Sequence, residues 1–200
     1  ILAHRRLAIV DLSPTGAQPM TSPSGRYVVT FNGEIYNHAE LRGTVDTARL
    51  RGHSDTEVML ARFDRDGVLA TLPHLIGMFA LAVYDSHSRQ VVLARDRFGE
   101  KPLYWGRDGD SVVFGSELKA LRVHPAVRAE IDRGALVQYL RYGWVPAPRS
   151  IYQGIGKLAP GTSVTIDLTR ATIGAPVAYY DLRAVAARGV ATPLVISAGE

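Results

Sequence analysis

Hydrophobic residues in this chain fall mainly into short runs separated by turn residues, a pattern typical of an antiparallel sheet. Apolar strand patterns occupy residues 6–11, 27–31, 78–84, 90–94, 103–105, 112–114 and 162–167. Polar turns at residues 85–88 and 108–110 join four of these runs in pairs, so each pair is predicted to form an antiparallel hairpin. The Asn32-Gly33 pair is a strong hairpin signal and predicts a tight turn at that point.

Three amphipathic segments between the strands predict helices at residues 55–66, 117–121 and 133–142. Ser54 and Glu57 form a capping box at the start of the first, which places Asp55 in the first helical turn. Asp132 caps the third helix and Gly143 follows its end. Because strands follow strands through short turns, the predicted class is α+β, and a four-layer helix–sheet–sheet–helix (αββα) sandwich would bury the apolar hairpins.

Composition narrows the domain organisation. The chain has 200 residues, of which 46% are hydrophobic, as expected for one soluble globular domain. Residues 1–183 are predicted to form that domain, and residues 184–200, which are Ala-rich and lack a clear period, to form a linker. Because Ile1 to His4 begins within a strand pattern and carries neither an initiator Met nor a signal sequence, we expect a fragment cut at its N-terminus.

Charge and residue content exclude several kinds of partner. The formal net charge is +4, from 23 basic and 19 acidic residues, and the basic residues are scattered, which argues against nucleic-acid binding. No run approaches the roughly 20 apolar residues that cross a bilayer. The absence of cysteine excludes disulfides and thiolate zinc sites, and the six histidines lack paired ligand spacing, so no metal site is predicted. A cytoplasmic location is the expectation.

Candidate chemistry lies in the segment from Phe31 to Asn37. Asn32 offers a side-chain N–H and Gly33 a backbone N–H that no Cβ obstructs, and such donors stabilise the oxyanion formed during amide hydrolysis. The alternative is that both residues simply form a turn. Arg6 suits bidentate capture of a carboxylate, or it makes a surface ion pair. Asp55 could bind an ammonium group, or it is an acid favoured by the helix dipole.

A second basic segment contains Arg95, Arg97 and Lys101 around Gly99. These residues could attract a phosphate group. No strand, Gly-rich loop and helix in succession accompanies them, so a solvated or ion-paired turn is preferred.

Seven sequence blocks, in order along the chain, resemble the glutaminase half of glutamine-hydrolysing asparagine synthetases, from about residue 3 to about residue 182. The blocks are His4-Arg5-Arg6-Leu7-Ala8-Ile9-Val10-Asp11, Gly16-Ala17-Gln18-Pro19-Met20, Phe31-Asn32-Gly33-Glu34-Ile35-Tyr36-Asn37, His53-Ser54-Asp55-Thr56-Glu57-Val58, Gly77-Met78-Phe79-Ala80-Leu81, Arg95-Asp96-Arg97-Phe98-Gly99-Glu100-Lys101-Pro102-Leu103-Tyr104 and Ser116-Glu117-Leu118-Lys119-Ala120-Leu121. The resemblance implies a class II glutamine amidotransferase domain with the αββα fold of the N-terminal-nucleophile hydrolases.

The resemblance also implies roles for individual residues. Arg6 would hold the glutamine α-carboxylate, aided by backbone groups of Ile9 and Val10. Glu34 and Asp55, with Gly33, would hold the α-ammonium group. Asn32 and Gly33 would form the oxyanion hole.

In that family an N-terminal cysteine attacks the glutamine amide, and the freed ammonia passes to a synthetase domain that uses ATP and Mg²⁺ to convert aspartate into asparagine. The expected enzyme class is therefore a ligase of asparagine biosynthesis, with glutamine and the synthetase domain of the same full-length chain as partners. This chain has no cysteine, so we expect the fragment itself to need no cofactor and to be inactive. A homodimer stays open as an assembly.

Two alternatives remain at this stage. The same kind of glutaminase domain serves other amidotransferases and amide-forming synthetases. A non-catalytic scaffold domain would also lack the nucleophile.

Overall fold

The computed structural model describes residues 1–5, 14–108, 111–125 and 127–192. Its strands and helices are β1 (Met20–Thr21), β2 (Tyr27–Ile35), α1 (His38–Arg42), α2 (Asp55–Asp66), α3 (Val68–Thr71), β3 (Gly77–Asp85), β4 (Gln90–Arg95), β5 (Tyr104–Asp108), β6 (Ser111–Gly115), α4 (Leu118–Arg122), α5 (Arg133–Tyr142), β7 (Ile155–Lys157), β8 (Thr162–Asp167), β9 (Thr172–Ile173), β10 (Val177–Ala178) and α6 (Leu182–Ala191). The strand predicted at residues 6–11 lies outside the described residues.

The strands form two antiparallel sheets. The larger sheet has the order β1-β2-β3-β4-β8-β10, with β9 paired to β8, and the smaller has the order β6-β5-β7. Both predicted hairpins are confirmed, since β3 pairs with β4 and β5 pairs with β6. Strand β8 pairs antiparallel with β4 on the side opposite β3. The apolar strands β3 and β4 are therefore central in the larger sheet.

Three buried clusters divide the domain into four layers. The first contains Leu60 and Phe63 of α2 and Phe79 and Leu81 of β3, so it lies between the helices and the larger sheet. The second joins the other face of that sheet to Trp105 and Phe114 of the smaller sheet, with the buried side chains Ala80, Ala82, Val91, Leu93, Leu103, Leu158, Val164 and Ile166. The third cluster joins the smaller sheet to α4. The predicted α+β sandwich with αββα layers is confirmed.

The tight turn predicted at Asn32-Gly33 is wrong. Strand β2 continues through both residues, and each pairs with β3, Asn32 opposite Ala80 and Gly33 opposite Phe79. Pairing along the whole of β3 outweighs the local turn preference of the two residues, because Ile35 beyond them is fully buried in the helix-facing core. The strand therefore ends at Ile35.

Two glycines allow β2 and β3 to pack closely at this end. A Cβ on Gly33, whose φ is +154°, would lie 2.0 Å from the carbonyl oxygen of Met78. A Cβ on Gly77 would lie 2.1 Å from the carbonyl oxygen of Glu34. Such distances are far inside van der Waals contact, so neither position accepts a side chain without moving a strand.

The predicted helices are present, and their caps are largely as expected. Ser54 Oγ accepts a hydrogen bond from the Glu57 N–H at the start of α2. The carboxylate of Glu57 accepts from Arg51 N–H and Gly52 N–H, so it fixes the preceding loop. Asp132 caps α5, which ends at the left-handed Gly143.

The loop after β4 is organised by the buried Asp96 and the partly buried Arg95. Asp96 is fully buried and accepts hydrogen bonds from four backbone N–H groups, those of residues 79, 98, 100 and 101. Arg95 donates to the carbonyl oxygens of residues 99, 101 and 158. Arg95 therefore has a structural role in the loop. Its bonds favour the predicted turn over the alternative of a phosphate site.

Burial also changes the protonation equilibria around this loop. Desolvation lowers the pKa of the Arg95 guanidinium below its ordinary value, and the neighbouring Asp96 carboxylate acts in the opposite direction. Burial raises the pKa of the Tyr179 phenol well above its ordinary value, and this hydroxyl donates to the Arg95 carbonyl oxygen at 2.5 Å. The hydrogen bond from Tyr179 therefore holds the segment after β10 against the end of β4.

The last described helix, α6, covers residues 184–191 of the segment 184–200 that was predicted to be a linker. It is capped by Asp181 and has no buried residue. Residues 193–200 lie outside the described residues. No helix within the described ranges is long and apolar enough to cross a membrane.

We predict that Gly77→Ala lowers the free energy of unfolding by about 2 kcal/mol or more, because the added methyl group forces β2 and β3 apart. Urea denaturation measures the change. Gly189→Ala is the matched control, since a Cβ on this helical glycine would have no atom within 4 Å and alanine favours helix. Equal stability of Gly77→Ala and the wild type would contradict the close packing at this strand end.

We also predict that Asp96→Ala lowers the free energy of unfolding by about 3 kcal/mol or more, because it leaves one buried and three partly buried N–H groups without their acceptor. Asp167→Ala is the control. Asp167 accepts hydrogen bonds from Thr169 and Arg170 in an exposed turn, where water can replace it. Thermal or urea unfolding of both variants should show the larger loss for Asp96, and the reverse order would contradict its assigned role.

Candidate functional site

Three of the candidate residues lie in succession at the C-terminal end of β2. Phe31 and Ile35 pack in the helix-facing core, whereas Ala80, which pairs with Asn32, packs in the core between the sheets. Since side chains alternate along a strand, Asn32 and Glu34 project toward the smaller sheet. The site is therefore on the inter-sheet side of the larger sheet.

The backbone N–H groups of Phe31, Gly33 and Ile35 face the outer edge of β2, away from β3. Phe31 N–H donates to Gln18 Oε1 at 2.6 Å, and Ile35 N–H donates to Asp55 Oδ2 at 2.8 Å. In an antiparallel pair, successive backbone N–H groups point alternately toward the partner strand and away from it. The N–H of Gly33, between Phe31 and Ile35, therefore faces the same edge as theirs. This is the backbone donor predicted for the oxyanion hole.

Asp55 is held at the junction of α2 and β2. Its carboxylate is almost fully buried and also accepts from the backbone N–H of Thr56 at 2.7 Å, in the first turn of the helix. The positive end of the helix dipole stabilises a carboxylate at this position. The bond to Ile35 N–H attaches Asp55 to the end of β2, directly after Glu34 in the chain.

Glu34 is one of several carboxylates near Tyr36. Partial desolvation raises the pKa of the Tyr36 phenol from 10.0, and the carboxylates of Glu100, Glu34 and Asp96 add to this effect. Within the described residues, the side chain of Glu34 makes no hydrogen bond or ion pair to a protein group. A cationic group would be favoured beside it.

A hollow of about 100 Å³ opens between the two sheets beside Asn32. Its lining includes His4, Thr30, Leu103, Phe114 and Ser116. The Asn32 Nδ2–H donates to Ser116 Oγ at 2.9 Å across this hollow. Asn32 thus has its amide at the wall of a cavity and its backbone in the β2–β3 ladder.

A larger hollow, of about 220 Å³, lies in the helical layer beside Pro23, Asp46, Arg49 and Asp64. It contains none of the predicted site residues. The Asp64 carboxylate is already bonded to Ser22 Oγ and to the Ser24 N–H, both at 2.8 Å. We therefore place the candidate site at the end of β2, where the Asn32 amide lines the smaller hollow.

The structure brings together Asn32, Gly33, Glu34 and Asp55. The other predicted glutamine-binding residues, Arg6, Ile9 and Val10, lie outside the described residues.

Sequence reasoning assigned no role to Gln18 or Ser116, although both lie in the blocks that carried the resemblance. Gln18 is bonded to a residue 13 positions away in the chain, and Ser116 to one 84 positions away. No local sequence pattern predicts a hydrogen bond over such separations. No group of three or more His, Cys, Asp or Glu residues in the described parts of the chain could hold a metal ion.

Comparison with known proteins places this site in a family. Residues 1–180 match the family model described as a glutamine amidotransferase domain. Two relatives from Bacillus subtilis (strain 168), named asparagine synthetase [glutamine-hydrolyzing] 3 and 1, are 38% and 39% identical over 82% and 81% of this chain. A relative from Oryza sativa with the name asparagine synthetase [glutamine-hydrolyzing] 2 is 46% identical over 60% of the chain.

The chain spans about a quarter of the length of the two Bacillus relatives, 27% and 26%. Among solved structures, the glutamine phosphoribosylpyrophosphate amidotransferase from B. subtilis superposes with a TM-score of 0.60 at 20% identity, over 88% of this chain and 34% of that one. This likeness confirms the four-layer αββα fold. By its sequence, this chain belongs to the glutamine amidotransferase domain family.

Proposed function

We propose that this chain is the glutamine-binding domain of an asparagine synthetase, in which the end of β2 binds glutamine and stabilises the oxyanion formed from its amide. The observation that carries the proposal is the grouping of Asn32, Gly33, Glu34 and Asp55 at one strand end, where the Asn32 side chain lines a hollow. The names of the relatives supply the substrate and the product.

The charges of the site suit a free amino acid. Glu34 and Asp55 provide negative charge for an α-ammonium group. Much of the Asp55 carboxylate is already engaged by Ile35 and Thr56 N–H groups. Glu34, which has no such protein donors in the described residues, is therefore the main counter-ion in this proposal. Arg6 would bind the α-carboxylate, because a guanidinium can pair with it through two hydrogen bonds.

The reaction is amide hydrolysis through a covalent intermediate. A thiolate attacks the side-chain carbonyl carbon of glutamine, and the resulting oxyanion accepts hydrogen bonds from Asn32 Nδ2–H and Gly33 N–H. Collapse expels the nitrogen as ammonia after it gains a proton, and leaves a thioester. Water then attacks the thioester, which releases glutamate and restores the thiol.

The 200 residues contain no cysteine, so they supply the binding groups and the oxyanion donors but not the thiol. In this proposal the thiol belongs to the full-length protein. The same protein would use the ammonia in a second domain that binds ATP and Mg²⁺ and acts on aspartate as a ligase.

We predict that Asn32→Ala lowers kcat for glutamine-dependent glutamate release by the full-length protein at least about 100-fold, because one oxyanion donor is lost. Amide formation from added ammonia should be unchanged, since ammonia bypasses hydrolysis. Both rates are measured on the same preparations.

Asn37→Ala is the matched control for this variant. Asn37 lies just beyond β2, and within the described residues its side-chain amide bonds only to the backbone of His74 and Ile76. Its variant should keep glutaminase activity within a few-fold. An Asn32→Ala protein with undiminished glutamate release would contradict the oxyanion role. A wild-type protein that makes asparagine from ammonia but never from glutamine would favour a scaffold domain.

A further inference from the structure

Asn32 and Ser116 connect the two sheets at the candidate site. Asn32 is in β2 of the larger sheet, and Ser116 directly follows β6 of the smaller one. Their hydrogen bond, from Asn32 Nδ2 to Ser116 Oγ, is 2.9 Å long and joins residues that are 84 positions apart. It is the one hydrogen bond that the Asn32 side chain makes within the described residues. The orientation of this amide therefore depends on Ser116.

The chemistry of a carboxamide makes this orientation important. The Nδ2 nitrogen carries two hydrogens in the plane of the amide group. When one hydrogen is donated to Ser116, the plane is fixed and the second hydrogen points in a defined direction. The torsion that turns this plane, χ2 of asparagine, is broad and lacks sharp staggered wells. Without a partner, the amide would sample many orientations.

Ser116 is itself well placed to act as a fixed acceptor. It lies between the last residue of β6, Gly115, which pairs with Tyr104 of β5, and Glu117, the N-cap of α4. A Cβ on Gly115 would lie 3.2 Å from Leu121, so the end of β6 is packed tightly against α4. The backbone that carries the hydroxyl is held from both sides.

We propose that Ser116 is a positioning residue for glutamine hydrolysis. Its hydroxyl oxygen accepts one hydrogen of the Asn32 amide and so aims the other at the developing oxyanion. This inference rests on the proposed function and extends it to a residue on the opposite sheet. Ser116 does not touch the reacting atoms in this proposal. Its effect is transmitted through Asn32 alone, because oxyanion donors must be oriented before the charge develops.

A purely structural bond between the sheets would behave differently. Loss of such a bond lowers stability and disturbs substrate binding and turnover together. Loss of a positioning bond leaves ground-state binding intact and removes stabilisation that occurs in the transition state, so kcat falls while KM is little changed. The two roles are therefore separable by kinetics.

The test is carried out on the full-length protein with the variants Ser116→Ala and Ser116→Thr. Ser116→Ala should lower kcat for glutamate release from glutamine by about 10- to 100-fold, with KM within about twofold of wild type, because a misaligned donor loses most of its effect. Ser116→Thr keeps the hydroxyl group and should restore kcat to within about threefold of the wild-type value. Amide formation from ammonia should be equal in all three proteins.

Ser150→Ala is the control for a structural serine. The Ser150 hydroxyl is buried, bonds to the carbonyl oxygen of Ile155 at 2.6 Å and accepts from the Tyr152 N–H, away from the hollow. Its variant should have a lower Tm with kcat unchanged.

Three results would overturn the inference. The kcat of Ser116→Ala could lie within twofold of wild type, or its Tm and KM could change in parallel, as expected for a purely structural bond. The third such result is a kcat of Ser116→Thr that is no higher than that of Ser116→Ala. In each of these cases an active wild-type enzyme leaves the proposed function standing. Absence of glutaminase activity in the wild-type protein would instead refute the proposed function, and the inference with it.

Discussion

The pairing of β2 with β3 through to Ile35 is the constraint on which the candidate site depends. Gly33 and Gly77 let the two strands approach so closely that a Cβ at either position would meet a carbonyl oxygen of the opposite strand at about 2 Å. This continuous ladder carries Asn32, Gly33 and Glu34 to the strand end as extended residues. A turn at Asn32-Gly33 would direct the same three residues elsewhere.

Residues from three other parts of the chain contact this strand end. Gln18 and Asp55 accept the outward N–H groups on either side of Gly33. On the inter-sheet side, the Ser116 hydroxyl oxygen accepts a hydrogen bond from the Asn32 amide. The strand end is thus held by contacts from the loop before β1, from α2 and from the smaller sheet. The N–H of Gly33 faces the same edge as its two bonded neighbours, where a ligand oxygen could accept it.

Local sequence patterns were sufficient for most of the fold. The continuous apolar runs of β3 and β4, joined by a polar turn, predicted their hairpin, and Ser54 with Glu57 predicted the start of α2. The pattern failed at Asn32-Gly33, because a turn preference of two residues is weaker than nine residue pairs with a buried neighbour strand. Local propensity is overridden when long-range pairing and burial favour another conformation.

For the candidate site, the sequence identified the residue types but not their supports. Asn32, Gly33, Glu34 and Asp55 are close in sequence, and the resemblance gave them roles. The contacts of Ser116 and Gln18 depend on how the sheets stack and how the chain before β1 folds back, which no spacing rule encodes. The role of Asp96 was also hidden, since an isolated Asp in a loop does not show that four N–H groups surround it.

The most direct test of this account is a crystal structure of the full-length protein with L-glutamate, the product of the proposed hydrolysis. The account predicts the α-ammonium group against the carboxylates of Glu34 and Asp55, and the side-chain carboxylate at Asn32 Nδ2 and Gly33 N–H. Glutamate bound elsewhere, for example in the hollow beside Asp46 and Asp64, with the end of β2 unliganded, would contradict it.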